Sequence, residues 1–143
     1  QFVDLDIDDY LAAMDNAAAD GIIMTMKADD PKWSFVGFNE MGTINRVVEK
    51  EVISDEATVG IYNFRSGHQL IEAIEQMFQK GLRVNGEFYV APAYNEIIEK
   101  GARIIHYTVG SEGQGMYGLG IPADLDYFLG LPISKRATAG KDC

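Results

Sequence analysis

Arg46-Val47-Val48-Glu49-Lys50-Glu51-Val52-Ile53-Ser54-Asp55-Glu56-Ala57-Thr58-Val59-Gly60-Ile61-Tyr62-Asn63-Phe64-Arg65 is the stretch whose reading decides the fold. Two apolar, β-branched runs flank a polar loop, the pattern of strand, loop, strand. The first run ends on an acid and a base side by side, Glu49 and Lys50, and the second carries Gly60. A carboxylate and an ammonium together at a strand end can grip a ligand that bears both hydroxyls and a phosphate. The carboxylate accepts hydrogen bonds from the hydroxyls, and the ammonium meets the phosphate as a point charge. The same pair also serves as solvated punctuation at strand ends, and from these residues alone both readings stand.

Upstream, Asp4-Leu5-Asp6-Ile7-Asp8-Asp9 lacks the glycine and the distal glutamate of a calcium loop. It reads as a helix entry, with Asp6 or Asp8 as N-cap and acids in the first turn favouring the dipole. Tyr10, Leu11, Met14, Ala17 and Ala18 share one helical face, and Gly21 is expected to end the helix. Ile22 to Met26 is a short apolar run, a buried strand. Trp33 to Phe38 and Thr43 to Glu49, joined by a turn at Met41-Gly42, read as a hairpin.

Downstream, Ser66 caps a helix whose stripe is Leu70, Ile71, Ile74, Met77 and Phe78, ended by Gly81. Val84 to Tyr89 is a turn feeding a further helix, with Tyr94, Ile97 and Ile98 inward and Gly101 as its stop. Ala102 to Val109 is a strand. His68 and His106 each lack a second metal-ligating neighbour and read as structural. Gly110 to Pro122 holds five glycines at Gly110, Gly113, Gly115, Gly118 and Gly120, in neither P-loop nor GxGxxG spacing, and reads as a mobile loop. A helix follows near Pro122. Residues 1–131 are expected to form one domain, and 132–143 a polar, flexible tail.

At 143 residues the chain has the size of one domain, and 47% hydrophobic with 24% charged residues is ordinary for a globular protein. A formal net charge of -10 argues against nucleic-acid binding. A local lysine can still hold a phosphorylated ligand, because a distant acidic field is screened. The single cysteine, Cys143, excludes an internal disulfide and a CxxC zinc site, which fits a cytoplasmic location. No apolar run reaches membrane-spanning length. The chain opens on Gln1-Phe2-Val3-Asp4, without an initiator Met or a basic n-region, and the expectation is a piece of a longer protein with no signal peptide.

Taken in order, several segments resemble the second half of the sugar-phosphate nucleotidylyltransferases, the enzymes that make NDP-sugars from NTPs and sugar 1-phosphates. They are Trp33 to Asn39, Val48-Glu49-Lys50, Ala57 to Phe64, Asn85-Gly86-Glu87-Phe88-Tyr89, and Gly118-Leu119-Gly120-Ile121-Pro122-Ala123-Asp124-Leu125. The resemblance spans about Gly21 to Phe128. It implies that Glu49 binds sugar hydroxyls, that Lys50 binds the sugar phosphate, and that the backbone at Val59-Gly60 and near Ser34 lies against the sugar. Glu87 would join the substrate-binding residues.

The resemblance also implies Mg²⁺, held by two carboxylates. Here Gly118 stands at the position of one, and the other would precede Gln1, so the metal site within this chain is expected to be incomplete, with Asp124 as the one candidate ligand. The fold implied is α/β, the second half of a doubly wound, mostly parallel, Rossmann-like sheet of GT-A type with a small antiparallel hairpin. The activity implied is nucleotidyl transfer, with this chain supplying the sugar-phosphate pocket and inactive alone. NTP and sugar 1-phosphate would be partners of the parent protein, with a homo-oligomer possible. Two other readings are a non-catalytic sugar-phosphate-binding or regulatory module and a fragment of a GT-A-type glycosyltransferase. The last would need a metal-binding DxD in a strand-end loop, whereas Asp4-Leu5-Asp6 and Asp6-Ile7-Asp8 precede a helix.

Overall fold

Gly21-Ile22-Ile23-Met24-Thr25-Met26 is apolar without alternation, and a strand can be so only when both its faces are covered. In the computed structural model, which describes residues 1–139, this run lies mid-sheet with helices packed on either side. In chain order the elements are β1 (Phe2–Val3), α1 (Ile7–Asn16), β2 (Gly21–Lys27), β3 (Ser34–Phe38), β4 (Ile44–Glu49) and β5 (Glu56–Phe64). Then follow α2 (Gly67–Gln79), α3 (Ala93–Glu99), β6 (Ile104–Glu112), β7 (Gly115–Tyr117), α4 (Pro122–Gly130) and α5 (Pro132–Thr138).

The seven strands lie in the order β1-β7-β6-β2-β5-β3-β4, and β4 returns to pair with β6 through Ile44 and Ile104. Strands β6, β2, β5, β3 and β4 therefore close into a five-stranded barrel. Alternate side chains of β2 serve two cores. Ile23 packs with Val36, Val47 and Ile104 beneath α2 and α3, among Ala73, Met77, Tyr94 and Ile97. Ile22, Met24 and Met26 pack with Phe35, Val59 and Met116 beneath Tyr10 of α1.

Several expectations need correction. The sheet is not mostly parallel, because only β2–β6 and β6–β7 of its seven pairings are. The Asn39–Thr43 connection is too short for the crossover that a parallel pair demands, so β3 and β4 form an antiparallel hairpin, and β5 inserts antiparallel between β2 and β3. The strands then curl into the barrel instead of spreading as an open, doubly wound sheet.

Asp6 is the N-cap of α1, its carboxylate accepting from the Asp8 N–H at 3.0 Å. Gly21 does not end that helix. Ala18 does so in a left-handed conformation, at φ 47°, and Gly21 opens β2, where a Cβ would meet the Tyr94 ring at 2.9 Å. Ser66 caps α2 as expected, but the stripe is narrower than five residues. Ala73 and Met77 are buried, whereas Ile71 is 58% and Phe78 53% exposed. α2 covers only one side of a small barrel, and Phe78 instead packs on Phe88, ring centroids 4.5 Å apart.

The Gly-rich stretch is not a free loop: β6 runs to Glu112 and β7 begins at Gly115, a tight crossing of backbone. The expected tail starts as α5, over Pro132–Thr138, and its last residues, 140–143 with Cys143, lie outside the described residues. No helix among the described residues is long and apolar enough to cross a membrane.

Candidate functional site

Antiparallel register places Ser34 of β3 opposite Glu49 of β4, and Phe35 opposite Ala57 of β5. One row across three strands is thereby set. The Ser34 hydroxyl donates to Glu49 Oε2 in a short hydrogen bond. On β5, Thr58 Oγ1 and Tyr62 Oη are hydrogen-bonded at 2.9 Å. Burial raises the Tyr62 phenol above its ordinary value; the Glu49 charge adds to that rise, and hydrogen bonds from Thr58 and Ser34 oppose it. The row therefore presents one carboxylate among three neutral hydroxyls, the donor and acceptor mixture a polyol needs.

The next strand is locked from outside. The Asn95 side chain of α3 accepts from the Val47 N–H at 2.7 Å and donates to the Val47 carbonyl at 2.8 Å, pairing with β4 as a strand would. Glu49, Glu51, Asn95, Arg83 and Tyr89 line one cleft of about 360 Å³ beside it.

Lys50 follows Glu49 directly but leaves strand geometry. Its φ of 57° is left-handed, unusual for a residue with a side chain, while its N–H still donates to the Trp33 carbonyl at 3.1 Å. That backbone turn frees Lys50 from strict alternation with Glu49 across the sheet. Its ammonium donates to Tyr89 Oη at 3.1 Å, and Tyr89 Oη donates to Glu87 Oε2 at 2.9 Å. The Tyr89 hydrogen bond, with smaller contributions from the charges of Glu49 and Glu87, raises the Lys50 pKa, so the side chain is a cation near neutral pH.

Gly60 lies two residues from both Thr58 and Tyr62, where the β2–β5 register shifts. Its φ of 81° needs glycine, and the Gln1 side chain lies over it, donating to the Val59 carbonyl.

Of the residues singled out from sequence, Ser34 and Glu49 are in contact, Lys50 and Glu87 are joined through Tyr89, and Gly60 lies along β5 from the same row. Asp124 is apart from them. It lies in the first turn of α4, lining a separate pocket of about 270 Å³ with Glu112, Tyr117 and Tyr127. Its Oδ2 sits 2.8 Å from where a Cβ on Gly118 would be. Among the described residues no group of three or more His, Cys, Asp or Glu is arranged to hold a metal ion.

Thr58, Tyr62, Tyr89, Arg83 and Asn95 were not recognised from sequence as site residues. A usable signal existed for Tyr89. Asn85-Gly86 is a strong tight-turn pair, and here it brings Val84 and Glu87 together, folding the Glu87–Tyr89 segment back.

This arrangement of strands and helices matches solved structures. A nucleoside-diphosphate-sugar pyrophosphorylase from Vibrio cholerae RC9 superimposes with a TM-score of 0.71 over 90% of this chain and 50% of its own, at 27% identity. The fold is shared with an NDP-sugar pyrophosphorylase. A putative glucose-1-phosphate thymidylyltransferase from Bacillus anthracis, solved in complex with a sucrose, superimposes with a TM-score of 0.62 over 88% of this chain and 48% of its own. At 20% identity that second likeness concerns the fold alone. The chain spans about half the length of these structures. No family model matches it, and no curated protein matches it by sequence.

Proposed function

We propose that this chain is the sugar-phosphate-binding half of a nucleotidyltransferase that joins an NTP to a sugar 1-phosphate. The observation that carries the reading is the pairing of the Ser34–Glu49–Thr58–Tyr62 row with Lys50 at the end of the same strand. Glu49 accepts hydrogen bonds from the sugar hydroxyls, with Ser34 orienting its carboxylate. Lys50 meets the phosphate, and the Gly60 backbone on β5 would come against the sugar once the Gln1 side chain, which lies over it, is displaced. In the whole enzyme a phosphate oxygen of the sugar 1-phosphate attacks the NTP α-phosphorus. The bond from that phosphorus to the bridging oxygen breaks, and pyrophosphate leaves with the electron pair. The residues of this chain contribute positioning and one positive charge.

Mg²⁺ belongs to such a reaction, but the donor set here does not fit it. Gly118 offers no carboxylate, and although Glu112 lines the same pocket as Asp124, no group of three or more His, Cys, Asp or Glu among the described residues is arranged to hold a metal ion. The same observation favours a second reading, a non-catalytic sugar-phosphate-binding module.

Calorimetric titration of the chain with a panel of hexose 1-phosphates and the corresponding free hexoses tests the pocket. Lys50→Ala is expected to weaken hexose 1-phosphate binding about tenfold, the loss of one charge-assisted contact, and to leave the free hexoses unaffected. Equal affinity of the variant would return Glu49 and Lys50 to strand-end punctuation. With Mg²⁺, each NTP and the same panel, the chain by itself is expected to release no pyrophosphate above background. Release that Lys50→Ala abolishes would refute the reading of an incomplete half.

A further inference from the structure

Lys50 is held by an unusual partner. Lys27, Lys32, Lys80 and Lys100 each pair with a carboxylate within 4.0 Å, whereas among the described residues Lys50 has no such partner and hydrogen-bonds a neutral phenol. The ammonium also lies 5.2 Å from the centroid of the Tyr89 ring. The phenol has a single O–H, and that proton is committed to Glu87, so toward Lys50 the oxygen can only accept. Each group in the chain Glu87–Tyr89–Lys50 thus has one role and one direction.

We infer that Tyr89 is a positioning residue, setting where the Lys50 ammonium waits for the phosphate of an incoming sugar 1-phosphate. This rests on the reading of the cleft given above. A carboxylate in place of the phenol would fix the ammonium as well but would cancel much of its charge, and the phosphate would have to displace an anion. A neutral acceptor restrains a flexible four-carbon side chain while leaving the charge available. The left-handed backbone at Lys50 serves the same end, because it sets the side chain off the strand and within reach of Tyr89. Tyr89 and Glu49 line the same cleft, so the restraint acts where the hydroxyl-binding carboxylate already is.

The test is a double-mutant cycle on the whole 143-residue chain. Wild type, Tyr89→Phe, Lys50→Ala and the double variant are titrated with α-D-glucose, α-D-mannose and α-D-galactose 1-phosphate. Tyr89→Phe removes one oxygen from a half-buried ring, and its thermal midpoint confirms that it is folded. It is expected to weaken binding about three- to tenfold when Lys50 is present and not at all in the Lys50→Ala background, since Tyr89 acts only through Lys50. The order parameter of the Lys50 side-chain ammonium by NMR should fall in Tyr89→Phe. If Lys50→Ala weakens binding but Tyr89→Phe leaves it unchanged, or weakens it equally in both backgrounds, the inference is wrong and the pocket reading survives. If no hexose 1-phosphate binds, or Lys50→Ala changes nothing, the pocket reading itself fails, and the inference with it.

Discussion

Gly115→Ala is expected to destabilise the fold by about 4 kcal/mol or more, enough to leave a marginal domain substantially unfolded. Gly115 has φ 101°, where a side chain is strained in any surroundings, and a Cβ there would stand 1.8 Å from the Val109 carbonyl oxygen. Gly110, at φ 93°, faces it across the same crossing, and its Cβ would meet the Gln114 carbonyl oxygen at 2.1 Å. Both obstacles are backbone, so no side chain can swing aside. The crossing cannot open cheaply, because Ser111 and Gln114 exchange hydrogen bonds of 2.8 and 2.9 Å within it and the Gly115 carbonyl accepts from Asp4 N–H at 2.8 Å. Gly120→Ala, five residues on, is the control. Nothing lies within 4 Å of a Cβ there, and its effect should stay within about 0.5 kcal/mol. Urea titrations of the two variants decide the matter, and a Gly115→Ala midpoint equal to that of the control would mean the crossing is not as tight as described.

These glycines show where the sequence could be read and where it could not. Local signals were legible. Asp6 and Ser66 cap the helices expected of them, and Gly81 and Gly101 follow α2 and α3 in left-handed conformations. The unbroken apolar run of β2 is covered on both faces. Pairing was not legible, because it depends on residues far apart in sequence. Nothing near Ile44 announces that it will meet Ile104 and close the barrel. Composition marks a Gly-rich stretch as mobile, yet here the missing side chains let two backbones touch. In the site, the acid–base pair Glu49-Lys50 was visible as a strand end, while its hydroxyl neighbours Thr58 and Tyr62 come from another strand and its restraint Tyr89 from a turn. Gly21 was read as a helix stop because glycine usually is one. Its actual use, making room for an aromatic ring, becomes apparent only when α3 is packed in place.

That ring belongs to Tyr94, and Tyr94→Ala is expected to cost about 3–5 kcal/mol. The residue is 0% exposed, its ring stacks on Phe64 with centroids 4.1 Å apart, and it covers Gly21. Its hydroxyl donates toward the Asn63 carbonyl at 3.0 Å, with the Ile22 carbonyl 3.3 Å away. Burial holds the phenol protonated, well above its ordinary pKa, so it remains a donor throughout the range in which the protein is handled. Tyr94→Phe separates the two contributions. It keeps the ring and loses a hydrogen bond to backbone, and should cost only about 0.5–1.5 kcal/mol. Denaturant unfolding followed by Trp33 fluorescence reads both variants. A Tyr94→Phe loss as large as that of Tyr94→Ala would place the stabilisation in the hydroxyl and not in the stacked ring.

The position of β6 in the sheet has a consequence for how this chain is made. β6 lies between β2 and β7 and also bridges β4, so two of its three partners end by Glu49, more than fifty residues before it begins. During synthesis the antiparallel strands β2 to β5 emerge first and can pair, but the other edge of β2 has no strand to receive until Glu112 has left the ribosome. At ordinary elongation rates the 48 residues from Phe64 to Glu112 take roughly 2–10 s. For that interval the nascent chain carries an open, apolar strand edge at Ile22, Ile23 and Met24, the kind of surface that chaperones bind and that neighbouring chains on a polysome can pair with.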